Sequence, residues 1–375
     1  MKFISLQENL KKGLNVVGHV SSKNINLPIL NNILVKAKDS TIEFISTNLE
    51  IGVSHQLRGK VEKDGDFTVD AKLISEYIGL LSSGEKVEVD LDGNELNIKC
   101  GNYKTKIKGE DAKEYPLIPT ISRDSFFSCD LTTLKKSLNS VIFAVSTSEN
   151  RVELTGVLFS FIGNSLFLAS TDSYRLAERS LDVKRININD DDQKFIVPAK
   201  TVQELLRILN SFENSYIEEN QEVNFYISDN QILFTFDSVE LISRLINGHY
   251  PDYKQIIPSK SQTDALVDRV ELVRAVKAAA LFSKTGINDI TLIFSKSKIL
   301  VSSFSGLSGE SQVEISCDIN GEDNEVTINY RYLLDGLNNI EGSLVRLSVL
   351  NNMTPCVIRP EKDSNYLYIV MPIKQ

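Results

Sequence analysis

The side chains with the strongest chemistry in this chain are few and scattered. His19 and His55 fall in the first third and His249 in a connecting stretch. None has the helical i, i+4 partner that holds a metal, so each reads as a surface or packing residue. Asp190-Asp191-Asp192 is a carboxylate run that could attract a divalent cation, but no further ligands follow at calcium-loop spacing, and a solvated turn is expected. Cys100, Cys129, Cys317 and Cys356 lie far apart with no C-x-x-C pair, which speaks against zinc and against a disulfide framework. Asp172 and Arg175 set an acid beside a phosphate-type clamp, yet a turn after a strand explains them equally. There is no G-x-x-x-x-G-K-S/T, no dinucleotide fingerprint and no G-x-S-x-G elbow. The expectation is a non-enzyme with no metal and no cofactor.

What remains is a pattern of charge. A net charge of −9 argues against a protein that coats nucleic acid over its whole surface. Six windows with helical apolar spacing, 5–17, 71–81, 131–143, 199–210, 270–282 and 330–339, nevertheless hold ten Lys or Arg against five acids. At 100° per residue, the side opposite the apolar stripe (Leu6, Leu10 and Leu14 in the first window) carries Glu8, Lys12 and Asn15. It carries Lys72, Ser75 and Gly79 in the second, then Thr132, Lys136 and Ser140, then Lys200, Glu204 and Arg207, then Glu271, Arg274 and Lys277. The sixth, with Arg331 and Asp335, is balanced. Lysine is a good helix former, which is the bland explanation. Glutamate is equally good, and in an acid-rich chain a positive face confined to helices suits a phosphate backbone.

The elements that carry these cations repeat. LKKGLN at 10–15 returns as LKKSLN at 134–139, Ser46-Thr47-Asn48 as Ser170-Thr171-Asp172, and Ile33-Leu34-Val35 as Val157-Leu158-Phe159, all at an offset of 124 residues. A strand running into a helix recurs at 67–81, 195–209 and 326–340. Asp92-Gly93 and Asp229-Asn230 are expected hairpin turns. Tyr115-Pro116 and Tyr250-Pro251 read as exits from a sheet, which places boundaries near 120 and 260. The third copy is looser and rests on element order. Six half-repeats, each a helix lying on its own strands, make an α+β chain of 375 residues, long enough for several cores. They could form an open stack or a closed ring, and only the ring leaves no open sheet edge. No apolar run is long enough for a membrane helix and the start lacks a signal peptide, so a cytoplasmic protein is expected.

The start MKF, Leu27-Pro28-Ile29-Leu30, TDSYRLA at 171–177, GHYPDYKQIIP at 248–258 and the ending YIVMPIKQ resemble the bacterial sliding clamps, the beta subunits of replicative DNA polymerase. The resemblance implies three clamp domains, at 1–120, 124–258 and 263–375, each with two helices packed on antiparallel sheets. It implies a closed ring formed as a head-to-tail homodimer around duplex DNA, and no membrane partner. Further implied partners are the catalytic subunit of the polymerase, a clamp-loading ATPase complex, and other polymerases and repair proteins that dock by short peptides. The implied peptide groove comprises Leu154, Thr171, Tyr174, Arg175, Leu176, Pro251, Ile256, Tyr332, Val345, Val370, Met371, Pro372 and Ile373. Lys23, Lys72, Lys200 and Arg207 match the family's basic positions, while Lys12, Lys136, Arg274 and Lys277 are DNA-binding candidates from the helical face alone. Ser173-Tyr174 stands where many members have a glycine and a histidine, and Lys374-Gln375 where an arginine and an apolar end are usual. The competing expectation is a repeat-built protein scaffold that never touches DNA.

Overall fold

The computed structural model describes residues 1–21, 27–188, 192–212 and 221–374. Lys23, Asp190, Asp191 and Gln375 lie outside the described residues. Among the described residues, eleven strands and α-helices occur in one order three times. The first copy runs β1 (Lys2–Leu6), α1 (Gln7–Val17), β2 (Asn32–Lys38), β3 (Thr41–Thr47), β4 (Ile51–Leu57), β5 (Lys60–Lys63), β6 (Gly65–Asp70), α2 (Ala71–Leu80), β7 (Lys86–Asp92), β8 (Glu95–Cys100) and β9 (Tyr103–Glu110). The second runs β10 (Phe126–Asp130), α3 (Leu131–Ile142), β11 (Gly156–Ile162), β12 (Ser165–Thr171), β13 (Arg175–Asp182), β14 (Lys184–Ile186), β15 (Gln193–Pro198), α4 (Ala199–Phe212), β16 (Glu222–Ile227), β17 (Gln231–Phe236) and β18 (Val239–Arg244). The third runs β19 (Thr263–Asp268), α5 (Arg269–Ala280), β20 (Asp289–Ser295), β21 (Lys298–Ser305), β22 (Gly309–Ser316), β23 (Asp318–Gly321), β24 (Asn324–Asn329), α6 (Tyr330–Asn339), β25 (Leu344–Val349), β26 (Cys356–Pro360) and β27 (Tyr366–Val370).

At α2, α5 and α6 strand gives way to helix within one residue because an acid or amide ends the strand and caps the helix. Asp70 accepts from Leu73 N (2.7 Å), Asp268 from Glu271 N (2.9 Å) and Asn329 from Arg331 N (2.9 Å). Each helix then buries one stripe: Leu10, Leu14 and Val17 in α1, Leu134, Leu138 and Val141 in α3, Leu272, Val276 and Ala279 in α5. The two expected hairpins form, β7 to β8 through Asp92-Gly93 and β16 to β17 through Asp229-Asn230.

The chain divides into two compact bodies. One comprises Met1–Leu131, Lys184–Asn189 and Gln203–Leu245, the other Thr132–Val183, Asp190–Val202 and Ile246–Gln375, so the second copy is shared between them. The first body holds a fourteen-stranded sheet in the order β14-β10-β16-β17-β18-β4-β3-β2-β6-β9-β8-β7-β1-β5. In it the last strand of the second copy pairs with the first copy, Ser243 opposite Ile51 and Val239 opposite His55. The second body holds a nine-stranded sheet, β15-β11-β12-β13-β27-β26-β25-β19-β23, and a four-stranded sheet, β22-β21-β20-β24. Here the last strand of the third copy pairs with the second, Val370 opposite Arg175 and Tyr366 opposite Arg179.

Tyrosines pin the stretches where proline marks the end of a copy. Tyr115 is buried and donates to the Asn32 carbonyl at 3.2 Å. Tyr253, buried against Leu158, Leu176 and Ile369, donates to the Glu178 carboxylate. None of the described helices is long and apolar enough to cross a membrane.

Candidate functional site

The expected helix-face cations separate into two kinds. Lys72, Lys200, Arg274 and Lys277 are exposed, and Lys72 makes only an i, i+4 pair with Glu76 at 3.8 Å among the described residues. Lys136 is exposed but ion-paired with Glu341. Lys12 is a correction. It is half-buried, with Nζ 4.0 Å from the centre of the Phe212 ring, and burial lowers its pKa. Lys11 is the exposed lysine of α1. The stripe in α1 is rotated from the expected one because Leu6 ends β1 and is exposed, while Gly13 and Val16 pack inward.

Arg207 and Glu204 are a second correction. Glu204 is 6% exposed, and Arg207 grips it through Nη2 at 2.7 Å and Nε at 3.1 Å. The remaining guanidinium donors serve α1, reaching the carbonyls of Asn15 (2.8 Å) and Val16 (2.6 Å). These are the orphan acceptors at the end of a helix that has no basic residue in its last turn. His19 adds a contact from Nδ1 to Glu204 at 2.9 Å. Arg207 is thus spent on holding α4 to α1. Ser140, expected on the open face of α3, is also buried and donates back to the Ser137 carbonyl at 2.8 Å. A cleft of about 1140 Å³ lined by Asn15, His19, Lys72, Glu76, Arg207 and Asn210 lies beside this cluster.

Most of the expected groove residues meet at the turn between β12 and β13. The Thr171 hydroxyl donates to the Arg175 carbonyl (2.6 Å) and accepts from Ser173 N (3.1 Å). Asp172 Oδ1 accepts from Tyr174 N (3.0 Å) and Arg175 N (3.1 Å), an Asx turn that sets Ser173 at φ 78°. The turn is internal repetition in three dimensions, since Thr47 and Asn48 make the same bonds to Ile51 and its neighbours, with Leu49 at φ 74°. Tyr174 stands 62% exposed and stacks on Tyr332 with ring centres 6.2 Å apart. Arg175 lies 4.8 Å from the Tyr332 ring and 5.6 Å from that of Phe143, and two carboxylates, Asp172 (3.0 Å) and Asp335, hold its edges. Partial burial raises the Tyr332 phenol above its ordinary pKa.

The C-terminal segment is fastened beside this stack. Met371 N donates to the Tyr174 carbonyl at 2.9 Å, Pro372 bridges to Ile328, and Ile373 N donates to the Thr327 carbonyl at 2.8 Å. Met371, Pro372, Ile373, Pro251 and Tyr332 are half-exposed and Ile256 is exposed. Leu154, Leu176 and Val370, expected to line the groove, are buried and offer no open surface, although Leu176 and Val370 lie on the paired strands β13 and β27 beside Arg175. Val345 is a correction: it is fully buried on β25, with β26 and β27 between it and β13, and offers nothing to a ligand. Met353, 56% exposed, stands in the turn leading to Cys356, whose backbone pairs with Val370. A methionine in a polar turn carries no periodic signal, so spacing alone could not single it out.

Models of the DNA polymerase III beta subunit match the chain three times, the N-terminal domain at 1–119, the central domain at 129–252 and the C-terminal domain at 254–374. The chain belongs to the DNA polymerase III beta subunit family. It is therefore built of three clamp domains, and it is a sliding clamp, a non-catalytic processivity subunit in DNA replication. The beta sliding clamp of Bacillus subtilis (strain 168) is 30% identical over 388 residues, covering 100% of both chains. The crystal structure of the Bacillus subtilis clamp aligns with a TM-score of 0.91 at 28% identity, covering 100% of this chain and 99% of that one. The clamp of Pseudomonas aeruginosa bound to griselimycin aligns at 0.93 with 25% identity over 100% of both chains.

Proposed function

We propose that this cytoplasmic chain, with domains at 1–120, 124–258 and 263–375, closes head to tail with a second copy into a ring around duplex DNA. The ring tethers the catalytic subunit of the polymerase through the groove around Tyr174, Arg175 and Met371. A clamp-loading ATPase opens it, and other polymerases and repair proteins use the same groove by short peptides. Of the expected DNA cations, Lys72, Lys200, Arg274 and Lys277 keep the exposure this role requires, and Lys72 and Lys200 also match the family's basic positions.

One observation carries the ring. Successive copies join by edge pairing, β18 on β4 and β27 on β13, and the same rule leaves two strands unmatched: β22, a sheet edge, and β9, which pairs with β8 from Tyr103 to Lys108 and meets β6 only at Gly109 and Glu110. These strands are chemically complementary: β9 presents Lys104, Lys106 and Lys108, and β22 presents Glu310 and Glu314. Both strands are largely exposed, and Phe304 and Leu307 beside β22 are 62% and 100% exposed. An open edge with exposed apolar neighbours invites a partner strand, and in a closed pair of copies β22 of each meets β9 of the other.

The experiment is topological. Clamp loaded on nicked circular DNA should stay bound through a high-salt wash and slide off once the circle is cut. Retention that survives linearisation means grip by contact and rejects encirclement.

A further inference from the structure

Two junctions between successive copies lie within one chain, and they follow one rule. The sixth residue of each first helix is a cation directed at the end of the next copy's second helix. Lys12 of α1 sits on Phe212, the last residue of α4, and Lys136 of α3 pairs with Glu341, just after α6. The sixth residue of that second helix is an acid held against the preceding copy. Glu204 of α4 meets His19 and is tied through Arg207 to the carbonyl of Asn15, the ninth residue of α1, while Asp335 of α6 pairs with Arg175.

The same rule applied to the remaining pair of helices points outside the chain. Arg274 is the sixth residue of α5, Lys277 the ninth, and Glu76 the sixth residue of α2. Arg274 and Lys277 are exposed and have no ion-pair partner among the described residues, and Glu85, in the turn after α2, has none either. The apolar face agrees: Leu80 of α2 is 82% exposed where its counterpart in α4, Ile208, is completely buried.

We infer that Arg274 and Lys277 of one subunit pair with Glu85 and Glu76 of a second copy, and so close the ring instead of contacting DNA. The inference rests on the ring reading, and it names a part of the boundary that strand pairing alone does not reach. It also removes two helix-face cations from the DNA surface. The partner is fixed by charge, since Arg274 and Glu76 stand at the sixth positions that the two inner junctions use, and Lys277 and Glu85 add a second cation and a second acid.

The test uses two full-length variants, R274E/K277E and E76K/E85K, each followed by sedimentation equilibrium beside the parent. Each variant alone sets like charges against each other at both boundaries of the dimer and should weaken self-association roughly 100-fold or more. Mixed together they are complementary at both boundaries, so the mixture should form a heterodimer within roughly threefold of the parent's affinity. Variants that dimerise like the parent, or a mixture that stays monomeric, overturn the inference while leaving the ring intact. A parent that is itself monomeric removes the ring reading, and this inference with it. Circular dichroism of each variant, unchanged from the parent, identifies a weakened dimer as an interface effect.

Discussion

Replacing Arg207 by methionine should destabilise the protein and leave its hold on DNA alone. The substitution keeps the aliphatic stem and removes every donor that Glu204 and the last turn of α1 use. Removing one partner of a buried ion pair costs about 3–5 kcal/mol, because the other charge is left desolvated. Two features reduce that here: the Arg207 side chain is 28% exposed, and His19 remains 2.9 Å from the stranded carboxylate. About 2–3 kcal/mol is the expected loss in urea unfolding, with the amides of Val16 to His19 exchanging faster as α1 loses its cap. Adding Glu204→Leu should recover the loss to within about 1 kcal/mol, since an apolar pair of similar volume needs no counter-charge. Lys72→Met with Lys200→Met is the contrast, stable to within about 0.5 kcal/mol and more easily stripped from circular DNA by salt. An Arg207→Met protein as stable as its parent that is stripped as easily as the lysine variants would refute the assignment.

His55 is completely enclosed, faces Phe212 edge-on at 6.1 Å, and is pushed down to about 4 from 6.5, first by burial and then by the nearby Lys12 charge. Between those values the unfolded chain binds a proton that the folded chain refuses. Stability should therefore be full above about pH 6.5 and fall by up to about 3 kcal/mol as pH drops toward 4, and His55→Gln should flatten that slope in acid titration of the unfolding midpoint. For the groove, deleting residues 371–375 should abolish binding of a labelled peptide from the catalytic subunit, measured by anisotropy, with the dimer kept. A peptide affinity within about twofold of the parent rejects the assignment.

Much of the architecture was legible because it is local or periodic. The 3.6-residue apolar stripes located six helices, and the 124-residue offset announced a repeat whose turns at Thr47 and Thr171 prove bonded alike. Residue types alone also disclosed the absence of any reaction motif. The resemblance named residues that the fold brings together around Tyr174 and the C-terminal segment, while Val345 lies in the core on β25.

What only the tertiary structure decided is which charges are free. Helical spacing places a side chain to about 100° per residue but cannot see the neighbouring copy, and Lys12, Lys136, Glu204 and Arg207 are each committed to one. The same blindness hid the stack of Tyr174, Tyr332, Arg175 and Phe143, whose members are up to 189 residues apart in the chain. Periodicity reports which face of an element is wet or dry. Partnership across a junction depends on strand pairing between copies, and that is settled by edges no single segment contains.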